Sequence, residues 1–308
     1  MPVKPAGPAG SRRPARYRLL ALDVDGTLLT SRGTITRRTK RAIRQALAAG
    51  IHVTLATGRV FPSARLLARA LGLRTPLVVS DGAFIIDPGH GPGGRPAVLH
   101  AHPMDGGLAR EVTAFLTGAG LPVVVHFADH LASSYRPTWQ QVVRSLGRGG
   151  LWHYLAMRRF VRYLPPADLP RYVEVAPGAP AKISAIGDER RLRPVQQALL
   201  ARFGGRLHVT HSASRSFDVL PAGVSKASGL QRLAALLGVH PEEIVAIGDN
   251  DNDREMLCFV GLGVAMGNAA EDVRRCARFV TRTNDEDGVA HVIERFLLAG
   301  EPAPPPPS

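Results

Sequence analysis

Cysteine is nearly absent from this 308-residue chain, which holds only Cys258 and Cys276. Two cysteines make no disulfide framework, and they suit a reducing, cytoplasmic compartment better than secretion. Both thiols are expected to be buried and unreactive. Long apolar runs are missing too: none approaches the roughly 18–20 residues that cross a bilayer. The first residues carry arginines and prolines without the apolar centre of a signal peptide. Acidic residues are scarce against basic ones, 25 to 39, for a formal charge of +14. That surplus either favours anionic partners, such as phosphorylated metabolites, nucleic acid or a membrane surface, or is simply a basic solvated surface, and it speaks to steering rather than to fold. No internal repeat is evident.

What is present is ordinary core material, 45% hydrophobic residues, in a chain long enough for two domains or one with a large insertion. From Tyr17 short apolar runs alternate with helix-length amphipathic ones, the rhythm of βαβ units on a parallel sheet. Strand 18–22, helix 36–49, strand 51–56, helix 62–71 and strand 77–80 follow in turn. The rhythm changes after Ala83 and returns with a helix over 225–237, a strand over 244–247 and a helix over 251–259. Between them lie candidate strands at 97–102, 123–127, 182–186 and 207–210, with helices near 106–118 and 189–203. The fold class is therefore α/β: a Rossmann-like core of residues 16–84 and 216–300 with an α/β cap, 85–215, inserted into it. Residues 1–15 and the proline-rich 301–308 read as disordered tails.

The densest chemistry is Asp23-Val24-Asp25-Gly26-Thr27-Leu28, where the apolar run 19–22 breaks into a glycine turn. In an extended chain residues i and i+2 share a side, so Asp23 and Asp25 converge. Carboxylates that close repel unless a cation holds them, and hard oxygen ligands favour Mg²⁺. Ala56-Thr57-Gly58-Arg59 places a hydroxyl and a glycine at a strand end. Lys226 opens a helix, whose N-terminus favours anions. Gly248-Asp249-Asn250-Asp251-Asn252-Asp253 follows another strand. All four stand where open parallel sheets place ligands. The last resembles the opening of an EF-hand loop, but Arg254 and Val260 occupy the positions that need glycine and glutamate, which excludes calcium binding there. Alone, the acid-x-acid pair would also suit a nucleotide-sugar glycosyltransferase; the other three motifs decide against it.

With these motifs in this order, the chain resembles the haloacid dehalogenase (HAD) superfamily of phosphohydrolases, in its Cof-type branch, whose α/β cap lies between the second and third motifs. The resemblance implies a Mg²⁺-dependent phosphatase acting on small phosphate monoesters through an aspartyl-phosphate. Asp23 would be the nucleophile and Asp25 the general acid and base. Mg²⁺ would be held by Asp23, the Asp25 carbonyl and Asp249, with Asp253 behind them. Thr57, Gly58 and Lys226 would hold the phosphoryl group, and Asn252 would donate to it or orient the site. A phosphomutase of the same fold, and a nucleic-acid or membrane-surface module with a weak phosphatase site, are the alternatives.

Asp81, in Ser80-Asp81-Gly82-Ala83, stands where related proteins commonly carry asparagine. It is either a turn residue or a charge in the cleft that repels phosphate. Asn268 fits the rim of the site or a helix cap. Within 135–172 lie Trp139, Trp152, Tyr135, Tyr154, Tyr163 and Tyr172, with Arg136, Arg144, Arg148, Arg158, Arg159, Arg162 and Arg171 opposed only by Asp168. This segment either packs the cap or grips substrate, a second phosphate or nucleic acid. His100 with His102 and His126 with His130 have spacings a metal could use, but without a matched second pair they read as structural or exposed.

Overall fold

The computed structural model of the protein describes residues 16–89, 94–138, 155–213 and 215–305. Trp139, Trp152, Tyr154, Arg144, Arg148 and the expected tail 1–15 lie outside the described residues. The strands, in chain order, are β1 (Leu19–Leu22), β2 (His52–Leu55), β3 (Leu77–Val79), β4 (Phe84–Asp87), β5 (Ala97–Ala101), β6 (Val123–His126), β7 (Leu131–Ser133), β8 (Val161–Tyr163), β9 (Lys182–Ile186), β10 (Leu207–Ala213), β11 (Ser216–Pro221), β12 (Ile244–Gly248), β13 (Leu262–Ala265) and β14 (Phe279–Val280).

A parallel sheet in the order β14-β13-β12-β1-β2 forms the centre. β1 is buried throughout; Leu20 and Leu22 enter the apolar cluster on one face, Leu19 and Ala21 the cluster on the other. That alternation is what a strand covered by helices on both faces requires. Local signals set the flanking helices. Thr36 accepts the Thr39 N–H at the start of Arg37–Ala48, and Gly72 and Gly238, both left-handed, close Phe61–Leu71 and Lys226–Leu237. β3 extends the sheet through a parallel bridge from Ala56 to Val78, and the antiparallel β4 and β5 continue from it.

The inserted region builds a six-stranded mixed sheet, β10-β11-β9-β6-β7-β8, with its own apolar core of helices Gly106–Gly118, Leu169–Val175 and Glu189–Phe203 against it. Several elements differ from the sequence reading. β11, placed in the returning half of the core, pairs with β9 and β10 in the cap sheet, whereas β4 pairs with β3 in the core. We therefore propose that the insert runs from about 103 to 221. Helix 251–259 begins only at Arg254, because the Asp253 carboxylate closes a loop by accepting the Asp249 and Asn250 N–H groups. Cys258 is exposed and Cys276 half-buried, correcting the expectation of buried thiols; both sit on short surface helices. At the start of the C-terminal tail, Glu301 pairs with Arg295 and Ala303 rests against the core.

One close approach fixes where the helix Lys226–Leu237 enters. A Cβ on Gly229 would lie 2.7 Å from both the Gly82 Cα and the Val78 Cγ1. Gly229→Ala is expected to cost about 1–3 kcal/mol by overpacking, read as a lower urea midpoint; an unchanged midpoint would show that the helix has room to shift.

Candidate active site

β1 lies between β2 and β12, so the chain leaves it toward opposite sides and opens a crevice at the strands' C-terminal ends. Asp23, Thr57 and Asp249 follow those three strand ends. The Asp23 N–H donates to the Ile247 carbonyl at 3.0 Å, fixing the β1 end against β12. The turn beyond it depends on Gly26, whose φ is +83° and where a Cβ would stand 2.2 Å from the Asp249 Oδ2. Next to it, Thr27 Oγ1 donates to Asp249 Oδ1 at 2.8 Å.

Lys226 is buried at the first turn of its helix, behind the Ser225 cap. Its Nζ donates to Asp23 Oδ1 at 2.7 Å and to Asp253 Oδ1 at 2.8 Å. Burial pulls the Lys226 ammonium down, but Asp23, Asp253 and Asp81 outweigh that and hold it protonated. Burial pushes the Asp23 carboxyl well up, with Asp253 and Asp249 adding and Lys226 opposing. Burial also pushes Asp249 up to about 6, Asp253 adding and the Thr27 hydrogen bond opposing. Asp23, Asp249 and Asp253 can bring one oxygen each to within 4.8 Å of one another. Two buried carboxylates and the half-buried Asp249 against one ammonium leave an excess of negative charge, and a hard dication bound by oxygens fits that deficit.

Asp25 faces outward: Arg59 grips its carboxylate in a fork, Nε to Oδ2 at 2.7 Å and Nη2 to Oδ1 at 2.5 Å. Thr57 is buried; its Oγ1 accepts the Arg59 N–H at 3.2 Å. Gly58 leaves room for two charged groups, since a Cβ there would be 3.0 Å from both Asp81 Oδ2 and Lys182 Nζ. Asp81 is a buried residue with φ +53°, and its charge is balanced by Lys182 of β9 at 2.6 Å. Asn252 spends its amide on Asp81 Oδ1 at 2.9 Å.

On the cap side Lys182 also reaches Asp218 at 3.0 Å, and Ser184 Oγ donates to Asp218 at 2.5 Å. With that proton spent, His126 Nε2 must be the donor in its 2.9 Å contact with Ser184 Oγ. The other ring nitrogen, Nδ1, is buried without a partner. Desolvation, with Lys182 adding, pulls His126 down to about 3. Core and cap together enclose a cleft of about 470 Å³ reached by Asp23, Asp25, Thr57, Arg59 and Lys226 from one side and by His126, Lys182, Ser184 and Asp218 from the other.

Asp23, Asp25, Thr57, Gly58, Lys226 and Asn252 therefore share one cleft, with Asp249 and Asp253 packed against it. Asn268 donates to the Gly26 carbonyl at 2.9 Å and accepts the Asn284 N–H at 3.0 Å, which puts it at the rim. Sequence reasoning gave no role to Thr27 and Arg59, although both stand inside motifs it quoted. Lys182 had no signal beyond lying on a candidate cap strand, and Asp218, assigned to the core, had none. His130 bonds Asp129 and the Tyr172 hydroxyl and stacks on Phe127, and among the described residues no histidine joins a metal-type cluster. No helix among the described residues is long and apolar enough to cross a membrane.

A parallel-sheet core with an inserted cap, and a carboxylate-lysine site between them, define a hydrolase of phosphoric monoesters. The chain belongs to the haloacid dehalogenase-like hydrolases, whose family model matches residues 20–293. It is 30% identical over 285 residues to the 5-amino-6-(5-phospho-D-ribitylamino)uracil phosphatase YitU of Bacillus subtilis, covering 91% of this chain and 97% of that protein. To the HMP-PP phosphatase of Serratia proteamaculans it is 30% identical, covering 91% and 96%. A solved haloacid dehalogenase-like hydrolase from B. subtilis superposes with a TM-score of 0.79 at 28% identity, covering 91% of this chain and all of that one.

His126 yields a pH prediction. Its folded pKa, about 3, lies below the ordinary value of 6.5, so its neutral form supports the fold above pH 6.5 and that support is lost as pH falls toward 3. Between pH 6 and 4.5 the wild type should lose stability more steeply than His126→Gln, by up to about 1.4 kcal/mol per pH unit, in urea unfolding at a series of pH values. Parallel slopes would refute it.

Proposed function

We propose that the protein is a Mg²⁺-dependent phosphatase that hydrolyses a small phosphate monoester, a sugar phosphate or related metabolite, through an aspartyl-phosphate on Asp23. The observation that carries this reading is the buried Asp23, held by Lys226 at 2.7 Å beside Asp249 and Asp253. The named activities of the relatives above are in keeping with it.

Asp23 Oδ attacks phosphorus as the bond to the leaving oxygen breaks, and Asp25 gives that oxygen its proton. Water then attacks the phosphorus of the aspartyl-phosphate, Asp25 takes the water's proton, and inorganic phosphate leaves with the Asp23 carboxylate restored. For both steps Asp25 must leave Arg59. The Asp25 side chain is 60% exposed, so water can take Arg59's place on its carboxylate when the fork opens. Thr57, Gly58 and Lys226 hold the transferring group, Lys226 as a fixed point charge. Asn252 acts at one remove by bracing Asp81. Asp23, the Asp25 carbonyl and Asp249 would hold Mg²⁺, with Asp253 fixing both the Asp249 loop and Lys226. Bound there, the ion would neutralise the charge on the phosphoryl oxygens.

Phosphate release from a panel of phosphorylated sugars, nucleotides and cofactors tests this. Release should require Mg²⁺, stop with EDTA, and fall at least about 10³-fold in Asp23→Asn while the circular dichroism stays that of the wild type. Undiminished release by that variant would refute the mechanism. Asp249→Ala should raise the Mg²⁺ concentration needed for half-maximal activity by about tenfold or more.

A further inference from the structure

Outside the catalytic cleft, a groove of about 690 Å³ runs between the core helix Phe61–Leu71 and the cap. Arg65 and Arg69 line it from the core, Arg159 and Arg162 from the cap. Among the described residues none of the four has a carboxylate partner. The groove's single acid, Asp129, lies 2.7 Å from the His130 ring. Burial and the like charge of Arg69 both pull the Arg65 guanidinium down. Three of the four cations are fixed by neighbouring groups. Arg65 donates to the Pro88 carbonyl at 3.0 Å and lies over the Phe61 ring. Arg159 and Arg162 lie over Phe160 and Tyr172, at 4.7 and 4.8 Å from the ring centroids. Guanidinium groups fixed on aromatic faces keep their hydrogen-bonding edges available, and those edges match phosphate oxygens two at a time. A concave site of this size suits a small molecule rather than a flat surface contact.

We propose that this groove is a binding site for a small anion carrying several contiguous phosphates, a nucleoside triphosphate or an inorganic polyphosphate, separate from the catalytic cleft. Because its walls come from both core and cap, a ligand there favours the arrangement in which the two are apposed.

Binding of tripolyphosphate and of ATP to the full chain, measured by calorimetry at low salt with EDTA present, tests the proposal. Tripolyphosphate should bind wild type and Asp23→Asn alike and lose at least about tenfold in affinity to Arg159→Glu/Arg162→Glu. That double variant should turn over p-nitrophenyl phosphate as the wild type does when no tripolyphosphate is present, which separates loss of the groove from loss of the fold. Equal affinity for both probes would assign recognition to the phosphate chain; tighter ATP would add the base. No binding by the wild type, undiminished binding by the double variant, loss of binding in Asp23→Asn, or a 20-nucleotide single strand binding more tightly than either probe would each overturn it.

Discussion

Everything at the strand ends depends on one buried ammonium. Lys226 joins Asp23 of β1 to Asp253 of the loop after β12, and Asp253 in turn holds the Asp249 and Asn250 backbone. Taking these charges out of water is expensive, and the pairs repay that cost only in good geometry with the remaining lone pairs satisfied. Three carboxylates near one lysine do not balance, and a further cation would fit that deficit. The glycine turn at Gly26, the Thr27 hydroxyl on Asp249 and the Asn268 amide on the Gly26 carbonyl all hold that imbalance in place.

A second buried lysine performs the matching task between domains. Lys182 arrives from the cap and meets Asp81, whose carboxylate also receives the Asn252 amide. Asparagine at position 81 would offer Lys182 a neutral oxygen; aspartate makes the contact an ion pair. The charge that the sequence reading allowed as a hazard for phosphate is therefore paired with a cap lysine, which Asp81 shares with Asp218. Apposition of core and cap brings Lys182 to the Gly58 backbone that lines the cleft, which ties cap position to the electrostatics of the cleft.

The parallel core was legible because its signals are local: buried β1, capped helices, and motifs at successive strand ends. Asp23, Thr57 and Lys226 were found for the same reason. Cap pairing was not legible, since β7 and β8 are three residues each and β11, beyond its hairpin with β10, joins β9 30 or more residues away. Lys182 and Asp218 look like any charged residues on short strands until pairing of β9 with β11 brings them together. Asp25 shows the opposite limit: its place in the motif was plain, but its grip on Arg59 depends on a helix start that the triplet does not encode.

The cap wall bears on what leaves with the phosphate. Lys182 is matched by two carboxylates and His126 is neutral, so among the described residues the cap side of the cleft offers no spare cation for a second phosphate. Ser184 and Asp218, bonded to each other, stand there beside Val124, Leu131, Met157 and Ile186. Arg65, Arg159 and Arg162, which have no carboxylate partner among the described residues, lie in the outer groove over Phe61, Phe160 and Tyr172. Positive charge is thus divided: in the cleft each buried lysine is outnumbered by carboxylates, whereas the arginines of the outer groove face no carboxylate partner among the described residues.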